Sequence, residues 1–154
     1  MKSRRITGTL LALLTLLLSA CSNAETAIPK VSIEIGNQTS EITPTVYCVS
    51  GEAKLGESSE AMQVSPNENV TVTVPDAVAE KQWSIQIWSV ADNNGTAVPG
   101  TPIGEVPAGS QKASFNTSDS ALDRYFIVVA IPEEAGCNAK GAAGMWTLMV
   151  SRVG

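Results

Sequence analysis

The chain has 154 residues, a formal charge of −5, 44% hydrophobic and 5% aromatic residues, and no histidine. The missing histidine excludes Ser-His-Asp and Cys-His nucleophilic sites and every His-based metal site. The acidic balance and the absence of clustered Lys or Arg argue against nucleic acid, and the length suits one domain.

Met1 to Arg5 carries Lys2, Arg4 and Arg5, and Ile6 to Ala20 follows without a charge. That apolar run is shorter than the ~20 residues a membrane span needs. A basic start, a short apolar run and small residues at its end read as a secretory signal. Leu18-Ser19-Ala20-Cys21 resembles the bacterial lipobox, in which the chain is cut before the cysteine and the thiol takes a diacylglycerol. The other reading is an ordinary signal peptide with Cys21 near its cut by chance. Lipidation explains why the chain has three cysteines. Cys21 becomes the anchor, with several acyl chains (palmitate among them) supplying the multiple lipid signals that stable anchoring needs. Residues 1–20 are then the leader, 21–28 a lipid-linked tether and 29–154 the folded domain. The mature chain keeps seven Lys and Arg against fifteen Asp and Glu, a formal charge of −8.

Export leaves Cys48 and Cys137 in an oxidising compartment, where they are expected to pair. The alternative is two buried free thiols.

The dominant period along the mature chain is two. Val31, Ile33 and Ile35 alternate with Ser32 and Glu34, a half-buried strand. Gly36-Asn37-Gln38 is a turn, and Ile42 to Val49 reads as the partner strand, with Pro44 marking an edge or bulge. Gly51 to Glu60 reads as a polar loop, Ala61 to Val64 as a short strand, and 65–69 as a turn. Val70, Val72 and Val74 give the cleanest alternation. Pro75-Asp76 opens one helical turn, Ala77 to Lys81. Trp83 to Val90 is a strand, Asp92-Asn93-Asn94-Gly95 a hairpin turn, and 96–110 a long Pro- and Gly-rich surface loop. Lys112 to Phe115 is a short strand and Asp119 to Asp123 a helical turn. Tyr125 to Ile131 is apolar on both faces, as in a central strand. Glu133 to Gly144 is a loop carrying Cys137. Trp146, Leu148 and Val150 share one face of the last strand. The resulting expectation is an all-β, antiparallel, immunoglobulin-like sandwich of seven or eight short strands. Position 127 is Ile, and Cys137 lies beyond the strand. This departs from a true immunoglobulin domain and predicts a disulfide tying the loop to the second strand.

Few residues offer chemistry. Ser110-Gln111-Lys112 has the bare form of a Ser-x-Lys dyad but lacks a strand-turn-helix context. Glu133-Glu134 reads as solvated loop rather than a catalytic pair. Asp92 to Gly95 lacks the later acidic ligand of a calcium loop. Met62, Met145 and Met149 without histidine make a poor copper or zinc set. Trp88 stands apart, because alternation places it opposite Trp83, on the polar side with Ser84 and Gln86. An exposed ring there suits glycan stacking or a protein hot spot. A ring packed under the 96–110 loop is the structural alternative.

KVSIEIGNQTSEITP, Tyr47-Cys48, ENVTVTVP, QWSIQIW and MWTLMV, in that order and spacing, resemble the exported actinobacterial family called domain of unknown function 2771. The resemblance covers Val31 to Val90 best. It implies an envelope location and no activity, and transfers no functional residue. Many members have a single membrane helix where this chain has a lipobox, an equivalent topology.

The expectation is therefore a noncatalytic protein without cofactor or metal, anchored by lipid to the extracytoplasmic face of the cell membrane. There it binds or assembles with an envelope protein or glycolipid. The alternative is a carrier holding a lipid or glycolipid between its sheets, in a cavity lined by Trp83, Ile85, Phe126 and Trp146.

Overall fold

The computed structural model describes residues 27–57, 59–91, 95–100 and 102–154. Among them, twelve strands and two short helical turns follow in chain order. The strands are β1 (Val31–Ile35), β2 (Gln38–Ile42), β3 (Pro44–Val49), β4 (Glu52–Leu55), β5 (Met62–Val64), β6 (Asn69–Thr73), β7 (Trp83–Val90), β8 (Ala97–Val98), β9 (Pro102–Val106), β10 (Lys112–Asn116), β11 (Arg124–Ile131) and β12 (Gly144–Arg152). Helix α1 (Asp76–Ala79) precedes β7, and a 3₁₀ turn (Thr117–Asp119) follows β10.

The strands form two sheets. One has the order β10-β6-β1-β2. The other runs β4-β3-β12-β11-β7-β8, with β9 also on β7 and β5 parallel to β12. The remaining pairings are antiparallel. The sheets bury facing surfaces in one core. The small sheet contributes Ile33, Ile35, Val70 and Val72; the large sheet contributes Ile85, Ile127, Val129, Trp146 and Leu148. The cause is the alternation of β-branched residues: each strand turns every second side chain inward, where removal from water is favourable. Both buried indoles have partners. Trp83 Nε1 donates to the Ser110 carbonyl and Trp146 Nε1 to the Pro29 carbonyl, each at 2.9 Å. A buried Trp normally satisfies its N–H in this way.

The all-β, antiparallel class is the one the alternation predicts, but the described residues form twelve strands instead of seven or eight, and three further details differ. First, β1 pairs with β2, which shares only Ile42 with the expected 42–49 partner. The turn at Gly36-Asn37 sets Gln38 opposite Ile35, so the partner strand starts before Ile42. Its polar residues hide it from a hydrophobic pattern. After Ile42 the chain leaves for the other sheet as β3. Second, the 51–60 loop contains β4 and the 96–110 loop contains β8 and β9. These are short edge strands with mostly exposed side chains, so they carry little hydrophobic pattern. Third, the helical turns lie slightly earlier than expected, at 76–79 and 117–119. In the second, Asn116 and Asp119 exchange side-chain bonds with each other's backbone, a capping box.

Candidate functional site

The two faces of the large sheet differ, and the site follows from that difference. Residues directly opposite in an antiparallel pair share a face. Trp88 is opposite Phe126, which is opposite Met149; Gln86, Val128 and Thr147 form the next row. Ser84, Ala130, Met145, Val46 and Leu55 make a third. None of these points into the core between the sheets. Yet Val128, Ala130 and Thr147 are buried, and Trp88, Phe126, Met145 and Met149 are half-buried.

A cleft of about 300 Å³ opens on this outer face. Val46, Ala130 and Met145 line it from the sheet, with Gln86 and Trp88 from β7. Pro99 closes one side and the segment Lys140-Gly141-Ala142 another. Trp88 Nε1 donates to Gln86 Oε1 at 2.8 Å, and Gln86 Nε2 donates to Ser84 Oγ at 3.3 Å. The indole N–H is thereby satisfied within the strand, which fixes the edge of the ring. β7 and β11 pair without a register shift, so no bulge between them turns Trp88 inward. Alternation therefore places it correctly, and the ring is neither fully exposed nor fully covered.

Two devices bring the walls together. Gly100 lies so close to β7 that an added Cβ would sit 1.9 Å from the Ile87 carbonyl oxygen. Only glycine lets the chain beside Pro99 approach that closely. On the other side, Cys48 and Cys137 are disulfide-bonded, with Cα atoms 6.0 Å apart and a sequence separation of 89. This is the predicted tie between the loop and the strand of Cys48. Around it the loop is also held by hydrogen bonds. Cys48 N donates to the Ala143 carbonyl at 2.8 Å, Asn138 N to the Gly51 carbonyl at 3.0 Å, and Ala53 N to Asn138 Oδ1 at 2.7 Å. The disulfide thus secures the loop that supplies Lys140, Gly141 and Ala142.

The other residues singled out from sequence are dispersed. Cys21 and the leader lie outside the described residues, as do Asp92, Asn93 and Asn94. Trp83, Ile85 and Trp146 are packed in the core, whereas Phe126 is on the outer face beside Trp88. The four residues expected to line a carrier cavity therefore do not face one space. Ser110 serves Trp83 through its carbonyl. Lys112 is exposed on β10. Glu134 pairs with Lys81 at 2.6 Å. Met62 packs on the core while Met145 and Met149 sit on the outer face. Among the described residues, no three His, Cys, Asp or Glu side chains converge as metal ligands, and no helix is long and apolar enough to cross a membrane.

A second hollow, lined by Asp76, Ala79, Glu80, Gly109 and Gln111, is an open concavity where Gln111 Nε2 donates to Asp76 Oδ1. Tyr125 is the notable buried polar residue. Its hydroxyl has no hydrogen-bond partner, and burial pushes its phenol above the ordinary 10.0 despite the opposing charge of Arg152.

Residues 24–101 match the family described as protein of unknown function (DUF2771). This chain belongs to that family. The match runs from before β1 to the Pro99 side of the cleft, so it includes Val46, Cys48, Gln86 and Trp88. The Lys140 wall, Met145 and Cys137 lie beyond it. The DUF2771 family carries no assigned activity, and no enzyme family was matched. No curated protein and no solved structure matches the chain.

Strict alternation puts Trp88 on the outer face, but the cleft walls carry no such signal. Pro99 and Lys140 to Ala142 have no motif of their own. The one signal available was the Cys48–Cys137 pair, which implies that the 133–144 loop lies against the strand of Cys48.

Proposed function

We propose that this protein is a noncatalytic binding module of the cell envelope, held to the extracytoplasmic face of the membrane by a lipid on Cys21. Its recognition surface is the outer face of the large sheet, centred on Trp88. One observation carries the reading: an aromatic ring is held by Gln86 in an apolar cleft whose walls come from three separate parts of the chain. Trp is enriched among the residues that carry binding energy, and preformed apolar clefts are where ligands usually bind. The lack of histidine and the oxidised state of Cys48 and Cys137 leave the cleft without a nucleophile-base pair. The carrier reading has less support, since Phe126 faces away from Trp83, Ile85 and Trp146.

In-cell crosslinking of the native protein, followed by mass spectrometry, tests the proposal. The expected result is one partner at near-stoichiometric yield, with crosslinks mapping to Lys140 and to the rim around it. Crosslinks confined to the β10-β6-β1-β2 sheet, or a tightly held lipid with no protein, would reject it.

A further inference from the structure

We infer that the hairpin edge carrying Leu55, together with Ile28, docks on the lipid surface itself. The inference rests on the proposed lipid anchor at Cys21. It concerns the β4 edge of the large sheet, where the outer-face row that begins at the cleft ends in Leu55, and a different partner from that of the cleft.

Leu55 is 82% exposed and Ile28 49% exposed, the two highest values among the exposed large hydrophobic side chains. They are not scattered. Both line one shallow hollow of about 110 Å³, with Thr43, Pro44, Tyr47, Lys54 and Gly56. Isolated exposed apolar residues are ordinary, whereas these two share one hollow and so begin a contiguous apolar surface. Tyr47, which also lines the hollow, is fixed by packing of its ring against Trp146 at 5.7 Å between centroids. The β3–β4 pairing and the bond from Gly56 N to the Thr45 carbonyl at 3.0 Å hold Leu55 in place.

The choice of a lipid surface follows from the length of the tether. Ile28 is seven residues after Cys21. Seven residues reach roughly 25 Å fully extended. A random coil of seven residues would average about 15 Å end to end. An anchored chain therefore keeps Ile28, and the hollow it lines, within a short distance of the bilayer at all times. Contact that would be negligible for a free protein becomes effective under such confinement, because effective concentrations across short linkers are on the order of millimolar. Charge does not oppose it locally. Glu52 and Glu57 on and beside the hairpin are matched in number by Lys30 and Lys54, and Lys54 is within 3.4 Å of Glu52. The Lys54 stem can lie along the apolar surface with its ammonium in the headgroup layer.

The test uses the full mature lipoprotein in phosphatidylcholine–phosphatidylglycerol vesicles with brominated acyl chains. Leu55→Trp and, separately, Ile28→Trp each add an emission at the patch. Both positions are exposed, and two variants guard against a local folding defect in either. The expected result is flotation with the vesicles, a blue shift of the added emission, and its loss to the bromine quencher. Flotation with the added emission unshifted and unquenched in both variants would overturn the docking inference while leaving the anchor intact. Failure of the unsubstituted protein to float would overturn the anchor and this inference together. Quenching in either variant that disappears when Cys21→Ala is introduced would support the inference and its dependence on the tether.

Discussion

The two faces of the large sheet make an instructive pair. On the inner face, Ile127, Leu148 and Trp146 are sealed against the small sheet. On the outer face, one residue along the same strands, Val128 and Thr147 are nearly as buried, but among the described residues no second sheet covers them. They are shielded by large neighbours such as Trp88, Phe126, Met145 and Met149, which remain half-exposed themselves. Burial alone therefore does not mark the structural core. The inner face is closed by packing and the outer face is finished by loops. The second arrangement leaves a cleft.

Substitutions should separate the faces. The largest effect is expected at the disulfide, which closes a long loop. Replacing Cys48 and Cys137 together by Ser should cost about 4–5 kcal/mol on the chain-entropy argument. It should also loosen the Lys140 wall, visible as faster amide exchange at 138–143. Next comes Trp146→Ala, which empties the inner face beneath β3 and β12. A loss of about 3–5 kcal/mol in urea denaturation is expected for a buried Trp. Gly100→Ala should act on the outer face alone, pushing the 96–100 chain off β7 at a cost of about 1–3 kcal/mol. Acrylamide quenching would then show Trp88 more accessible.

The smallest effect sharpens the comparison through pH. The Tyr125 phenol is raised in the folded state by burial. The unfolded chain therefore loses this proton first. Its contribution to stability is complete below pH 10 and is lost as pH climbs through the raised folded value. Tyr125→Phe removes that alkaline loss and an unpartnered buried hydroxyl. Stability at neutral pH should change by less than about 1 kcal/mol, in either direction. Urea midpoints of both proteins between pH 8 and 11 would check this. A parallel alkaline decline in the two would contradict it.

What could be read from sequence divides along the same line. β1 and β6 were legible because each buries one face and alternates accordingly. β7 and β12 were legible because Trp83, Ile85 and Ile87, and Trp146, Leu148 and Val150, hold every second position. β11 was legible as central because both its faces are covered. β2, β4, β8 and β9 were not, since an edge strand exposes most side chains and has no apolar period. The face of Trp88 followed from strict alternation. Its surroundings did not, because they depend on a loop fixed across 89 residues by the disulfide and on one glycine that touches a backbone carbonyl. Local pattern carries the strands, while the cleft is a product of long-range closure.

The most direct test of the account is Trp88→Ala, read by in-cell crosslinking of the anchored protein. Removing the ring should abolish capture of the partner seen with the unsubstituted chain while the urea midpoint stays close to the original. Undiminished capture by this variant would contradict the assignment of the outer face as the binding surface.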